Sequence, residues 1–121
     1  MTTGATLRLS RTADAPARVR HALQQVCAGA PASVVDDAML LTSELVTNAV
    51  RHADGDLTVA IEREGDSIAV TVADEAEAAP VLRDASPGDT GGRGLHLVDS
   101  IASAWGWNPT GHGKLIWFRV P

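Results

Sequence analysis

Leu57, Val59 and Ile61 alternate with Thr58, Ala60 and Glu62, and Ile68, Val70 and Val72 resume the alternation after the loop Glu64-Gly65-Asp66-Ser67. Successive side chains on a strand point to opposite faces, so each run buries one face and exposes the other. Joined by a short loop containing glycine, the two runs predict an antiparallel hairpin. A lone two-stranded ribbon is marginal in water, so its apolar face needs a cover. The residues before it supply one. Val19, Leu23 and Val26 recur at helical spacing in a segment that Asp14-Ala15-Pro16 opens and Gly29 closes. Pro31-Ala32-Ser33 opens a second helix that runs to about Ala53, where Asp54-Gly55-Asp56 signals a turn. Ahead of both, Leu7 and Leu9 alternate with Arg8 and Ser10 as a short strand at best.

Beyond the hairpin, periodicity is lost from Glu75 to Gly92, where Pro80, Pro87, Gly88, Gly91 and Gly92 accumulate. A third helix is expected from Gly94 to about Ala104. Trp105-Gly106-Trp107 and Lys114–Val120 then read as a closing hairpin around Asn108–Gly113. Helices followed by strands with short connections predict an α+β, two-layer sandwich: a mostly antiparallel mixed sheet with helices on one face. Residues 1–121 are expected to form a single domain.

Charge narrows the partners. The net charge is −5, and the longest basic cluster is Arg18-Val19-Arg20. Nucleic-acid binding relies on clustered Lys and Arg, so no nucleic-acid partner is expected. No apolar run approaches the ~18 residues of a membrane span, and the N-terminal segment does not read as a signal peptide. Cys27 is the sole cysteine and is expected as a small buried hydrophobe on the first helix. The chain is expected to be cytoplasmic, without a membrane partner.

Three segments carry chemistry. On the second helix at 100° per residue, Leu41, Leu45, Val46, Ala49 and Val50 form a broad apolar face. Glu44, Asn48 and His52 follow one another at its edge, one turn apart, as a polar ladder suited to lining a pocket. Glu44 is placed to take a proton from an attacking hydroxyl or water. Asn48 offers a neutral oxygen of the kind Mg²⁺ accepts, and as a poor helix former it has no local reason to sit mid-helix. Alternatively, His52 serves only the carbonyls and dipole at the helix end.

Asp74 shares parity with Ile68, Val70 and Val72, so its carboxylate faces the apolar side. A carboxylate there must find donors, and no Lys or Arg of its own strand shares the face. A ligand amine such as that of adenine would satisfy it. If the chain has already left the strand, the same residue turns to solvent. Gly91-Gly92-Arg93-Gly94-Leu95 then opens the third helix. Glycines let a ligand approach the backbone, and the free N–H groups of a helix start favour anions. Arg93 could pair with phosphate or reach a protein partner. No Gly-Lys-Ser/Thr follows, so this is not a P-loop.

The segments Glu44-Leu-Val-Thr-Asn48-Ala-Val-Arg-His52, Asp74 and Gly91-Gly-Arg-Gly-Leu-His-Leu-Val98, in this order, resemble the ATP-binding domain shared by gyrase, heat-shock chaperones and histidine kinases, the Bergerat fold. Within that superfamily the chain is most similar to the small anti-sigma-factor serine kinases of bacteria. The resemblance implies Mg²⁺ and ATP as cofactors, Glu44 as general base and Asn48 as Mg²⁺ ligand. It also implies nucleotide contacts from Asn48, His52, Asp74, Gly92, Arg93, Gly94 and Leu95, with 76–90 as a lid. The implied partners are a sigma factor and an anti-sigma antagonist protein, and a homodimer is the implied assembly. The superfamily's acid is followed by glycines at the second and fourth positions, where this chain has Ala76 and Ala78. Their methyl groups stand where backbone would meet the base, which implies looser nucleotide binding. A serine/threonine kinase and a nucleotide-responsive binding module without phosphotransfer both fit this sequence.

Overall fold

The computed structural model describes residues 2–75 and 94–121. Strand β1 spans Thr2–Leu9, helix α1 Ala15–Val26 and helix α2 Ala32–His52. The hairpin follows as β2, Leu57–Glu64, and β3, Ser67–Asp74. Helix α3 spans Gly94–Ile101, β4 Ala104–Pro109 and β5 Lys114–Val120. The strands form one five-stranded sheet in the order β1-β2-β3-β5-β4. Among the described residues no helix is long and apolar enough to cross a membrane.

Every strand pairing is antiparallel, so the expected mixed sheet is antiparallel throughout its described strands. The reason lies in the connections. β2–β3 and β4–β5 are hairpins, whereas α1 and α2 intervene between β1 and β2, and α3 and β4 between β3 and β5. Between β1 and β2 the two intervening helices return the chain to the neighbouring strand in the opposite sense.

Parity sets the buried face. Val59 lies opposite Val72 and Ile61 opposite Val70, while Val70 faces Phe118 and Val72 faces Ile116. These side chains meet α1, which packs on β1 and β2, and α2, which packs on β3 and β5. From α2 the core takes Val34, Ala38, Leu41, Leu45, Val46 and Ala49; from α1 it takes Val19, Leu23 and Val26. Phe118, fully buried, is the largest side chain of the core. Helices thus cover one face, as the helix-then-strand order predicts.

Three local readings shift. β1 is a full eight-residue strand rather than a short one, because it pairs with β2 from Thr2↔Glu64 to Leu9↔Leu57. Backbone pairing there extends the strand beyond its apolar alternation. α3 ends at Ile101, before the expected Ala104, because the Ser103 backbone N–H donates to Arg119 O at 2.9 Å and draws the chain into the sheet. Finally, the end of α2 is closed from a distance. Arg11, between β1 and α1, donates through Nη1 to Val50 O at 3.2 Å and through Nε to Gly55 O at 2.9 Å. Arg63 does the same for α1, with Nη1 3.1 Å from Val26 O and 2.6 Å from Ala28 O. Cys27 is buried just beyond α1, and that burial pushes its thiol pKa up.

Candidate functional site

Asp74 ends β3 on the helix-covered face, as its parity predicts, and does not turn to solvent. Its side chain is only 6% exposed. The register sets Lys114, the first residue of β5, directly opposite, and residues opposite each other in an antiparallel pair share a face. Lys114 Nζ lies 3.2 Å from both Oδ1 and Oδ2 of Asp74, with its side chain 12% exposed. The donor that Asp74 needs from another element is therefore supplied by β5.

Lys114 is the site-adjacent residue that motif reading misses. A signal for it exists: Lys114 shares parity with Ile116, Phe118 and Val120, and a lysine in register with a core face requires a buried anion.

Two close approaches hold this corner in place. Gly113 is buried beside the end of β3, and a Cβ on it would fall inside the backbone of Asp74 and Glu75. The Thr110 backbone N–H donates to Gly113 O at 2.8 Å, closing the β4–β5 turn over this contact. On the other side, the Glu75 backbone N–H donates to Asp54 O at 3.0 Å, tying the end of β3 to the turn after α2. Gly55 in that turn has a φ of +69°, and the Glu75 side chain lies where its Cβ would be. A side chain there would be strained by the backbone and blocked by its neighbour. Gly113→Ala is expected to lower stability by about 1–3 kcal/mol through forced backbone movement. Chemical denaturation checks this, and an unchanged midpoint would show that the corner yields freely.

The α2 ladder runs along the flank of the buried helix face. Glu44 and Asn48 are half-buried, and His52 is exposed at the helix end. Asn48 Oδ1 is buried and has no hydrogen-bond partner among the described residues. An unsatisfied buried carbonyl costs about 1–3 kcal/mol, so this amide oxygen calls for a partner beyond the described residues. On the first turns of α3, His96 Nε2 is likewise buried without a described partner. Among the described residues no cluster of three His, Cys, Asp or Glu is grouped to hold a metal ion alone. A cation at Asn48 would need oxygens from elsewhere, as Mg²⁺ does when water and phosphate complete its shell.

Gly94 and Leu95 begin α3. Gly92 and Arg93, the 76–90 lid with its Ala76 and Ala78, and Gly91 lie outside the described residues. The structure therefore places Asp74 at the end of β3, Glu44, Asn48 and His52 along α2, and Gly94 and Leu95 at the start of α3. α2 packs against both β3 and α3, the elements that carry the other two segments.

The description of the histidine kinase-like ATPase domain matches residues 9–120, from the end of β1 to the end of β5. The chain belongs to this family. An ATPase domain binds nucleotide, so the family places a nucleotide site on this fold. No curated protein matches the chain. Among solved structures, the crystal structure of the RsbU and RsbW domains of Rv1364c from Mycobacterium tuberculosis superposes with a TM-score of 0.73 at 22% identity. The alignment covers 98% of this chain and 33% of that one, so this histidine kinase-like ATPase domain spans about a third of the longer protein. At that identity the likeness is one of fold.

Proposed function

We propose that the protein is a Mg-ATP-dependent serine/threonine protein kinase that phosphorylates an anti-sigma antagonist protein and sequesters a sigma factor. The observation that carries this reading is the buried Oδ1 of Asn48, one turn beyond Glu44 and without a hydrogen-bond partner among the described residues. A nucleotide-binding family, a buried carbonyl oxygen without a partner among the described residues and a carboxylate one turn before it together fit a cation site next to a general base.

In this reading Asn48 Oδ1 would hold Mg²⁺, which when bound would supply neutralisation of phosphate charge. Asp74 accepts a hydrogen bond from the adenine amine. The start of α3 at Gly94 and Leu95, with Gly92 and Arg93 before it, lies against the phosphates, where helix N–H groups favour anions. Glu44 takes the proton from the substrate hydroxyl as its oxygen attacks the γ-phosphorus and ADP departs. His52, exposed at the helix end, borders the nucleotide. The protein partners, the homodimer, the cytoplasmic location and the reading of 1–121 as a single domain belong to the same proposal.

A binding module without phosphotransfer is the second reading, favoured by Ala76 and Ala78 in the adenine segment. Calorimetric titration of ATP and ADP, with and without Mg²⁺, tests the common part. Binding that is micromolar with Mg²⁺ and at least tenfold weaker without it is expected, tenfold being about 1.4 kcal/mol. Binding indifferent to Mg²⁺ would remove Asn48 as a cation ligand. Transfer of label from γ-labelled ATP to an antagonist protein then separates kinase from module.

A further inference from the structure

Lys114 enters the reading above only as a counter-ion, and a buried counter-ion is a poor stabiliser. Desolvating two charges costs about what their attraction returns, so a buried pair is weak evidence of a purely structural role. Its geometry points to a second duty. Nζ is 3.2 Å from each oxygen of Asp74. An ammonium carries three donors, so two directed at the carboxylate leave one. A carboxylate offers about four acceptor sites, so Lys114 does not exhaust Asp74 either. By this capacity the pair can offer an acceptor and a donor side by side.

Their spacing is held by backbone, which makes the arrangement a template rather than a chance contact. Asp74 and Lys114 are register partners at the end of the β3–β5 ladder. Gly113, immediately before Lys114, brings the start of β5 against the backbone of Asp74 and Glu75. The Lys114 stem therefore leaves the sheet on the same face as the carboxylate. A ligand edge that fits this template has a donor next to an acceptor. Adenine has that edge, an exocyclic amine adjoining ring N1, and reading a base by this edge is a general mode of recognition.

We propose that Lys114 is a specificity-determining residue of the nucleotide site, donating from Nζ to adenine N1 while Asp74 accepts from the exocyclic amine. The proposal rests on the assignment of Asp74 as the adenine acceptor. The base is then read by two adjacent hydrogen bonds of opposite sense, both charge-assisted and both largely removed from water. A base with its amine but no ring acceptor loses one of them and leaves the Lys114 donor facing carbon.

Calorimetry with Mg²⁺ complexes of ATP, 1-deaza-ATP and purine riboside triphosphate, on the parent and on Lys114→Met, tests this. Methionine keeps the length of the stem and removes the donor. The parent is expected to bind 1-deaza-ATP about tenfold more weakly than ATP, the loss of one hydrogen bond to a charged group. Lys114→Met is expected to bind the two alike. Equal affinities in the parent, or an undiminished 1-deaza penalty in Lys114→Met, would overturn the proposal.

Purine riboside triphosphate lacks the amine and reports on Asp74 alone. If it binds the parent as well as ATP does, the Asp74 assignment fails, and with it the proposal. If only the 1-deaza comparison fails, Asp74 stands and Lys114 does not read the base. Should Lys114→Met lose its cooperative unfolding transition, the pair Asp74→Asn with Lys114→Met carries the same comparison without a lone buried charge. Equal weak binding of ATP and 1-deaza-ATP to that pair supports the proposal, and a retained penalty overturns it.

Discussion

Glu44→Ala is expected to bind Mg-ATP within about threefold of the parent, while phosphate transfer to an antagonist protein falls by about 10²–10⁴, the usual contribution of a positioned general base. The separation follows from where Glu44 sits. It lies on the flank of α2, half-buried, outside the core row of Leu41, Leu45 and Ala49. Its truncation opens no core cavity, and alanine is the better helix former. Asn48 and Asp74 keep their positions, so the contacts assigned to Mg²⁺ and adenine remain. A single-turnover assay beside calorimetry reads both quantities. Transfer at the parent rate would place the base elsewhere. Absence of transfer in parent and variant alike, with ATP bound by both, would favour the binding module.

Asp74→Asn is expected to weaken ATP binding by about ten- to a hundredfold, the value of a hydrogen bond to a charged acceptor. It also leaves the Lys114 ammonium without the carboxylate that lies 3.2 Å from it. Breaking a buried pair by removing one partner costs about 3–5 kcal/mol. Lys114 keeps 12% exposure, so the lower end of that range applies, with a fall in melting temperature on the order of 10–15 °C. Combining Asp74→Asn with Lys114→Met removes both charges and is expected to restore most of the stability and none of the affinity. Thermal unfolding and calorimetry on the two variants separate the roles. Unchanged ATP affinity in Asp74→Asn would remove this carboxylate from the adenine site. Equal stability of the parent and Asp74→Asn would show that the pair contributes nothing to the fold.

The alternation in Leu57–Ile61 and Ile68–Val72 was enough to place β2 and β3, because the side-chain period of a strand is independent of its partners. The same rule put Asp74 on the core face, where the structure has it. The face of α2 was legible for the same reason, with Leu41, Leu45, Val46 and Ala49 buried and Glu44 and Asn48 on its flank. What failed was local economy. β1 looked short because its outer residues lack apolar alternation, yet β2 pairs with its backbone along the whole length. The sequence offered His52 for the carbonyls and dipole at the end of α2, and gave no sign that Arg11, 39 residues away, holds the Val50 carbonyl. α3 lost its last turn to the sheet through Ser103.

The order of chemical groups along this chain was determined by sequence alone: a carboxylate and an amide one turn apart, an inward acid ending a strand, and a run of glycines ahead of a helix. Local periodicity and residue chemistry suffice for that, since each statement concerns neighbours in the chain. Only the tertiary structure decided who answers the acid. Lys114 meets Asp74 across 40 residues because β3 and β5 pair in one particular register, and Gly113 lets their backbones close up. Register is a property of two strands and the turns that join them, and a slip of one residue would turn Lys114 to the other face. It also decided that Asn48 Oδ1 is buried without a partner among the described residues, which depends on what packs around α2 rather than on the helix itself.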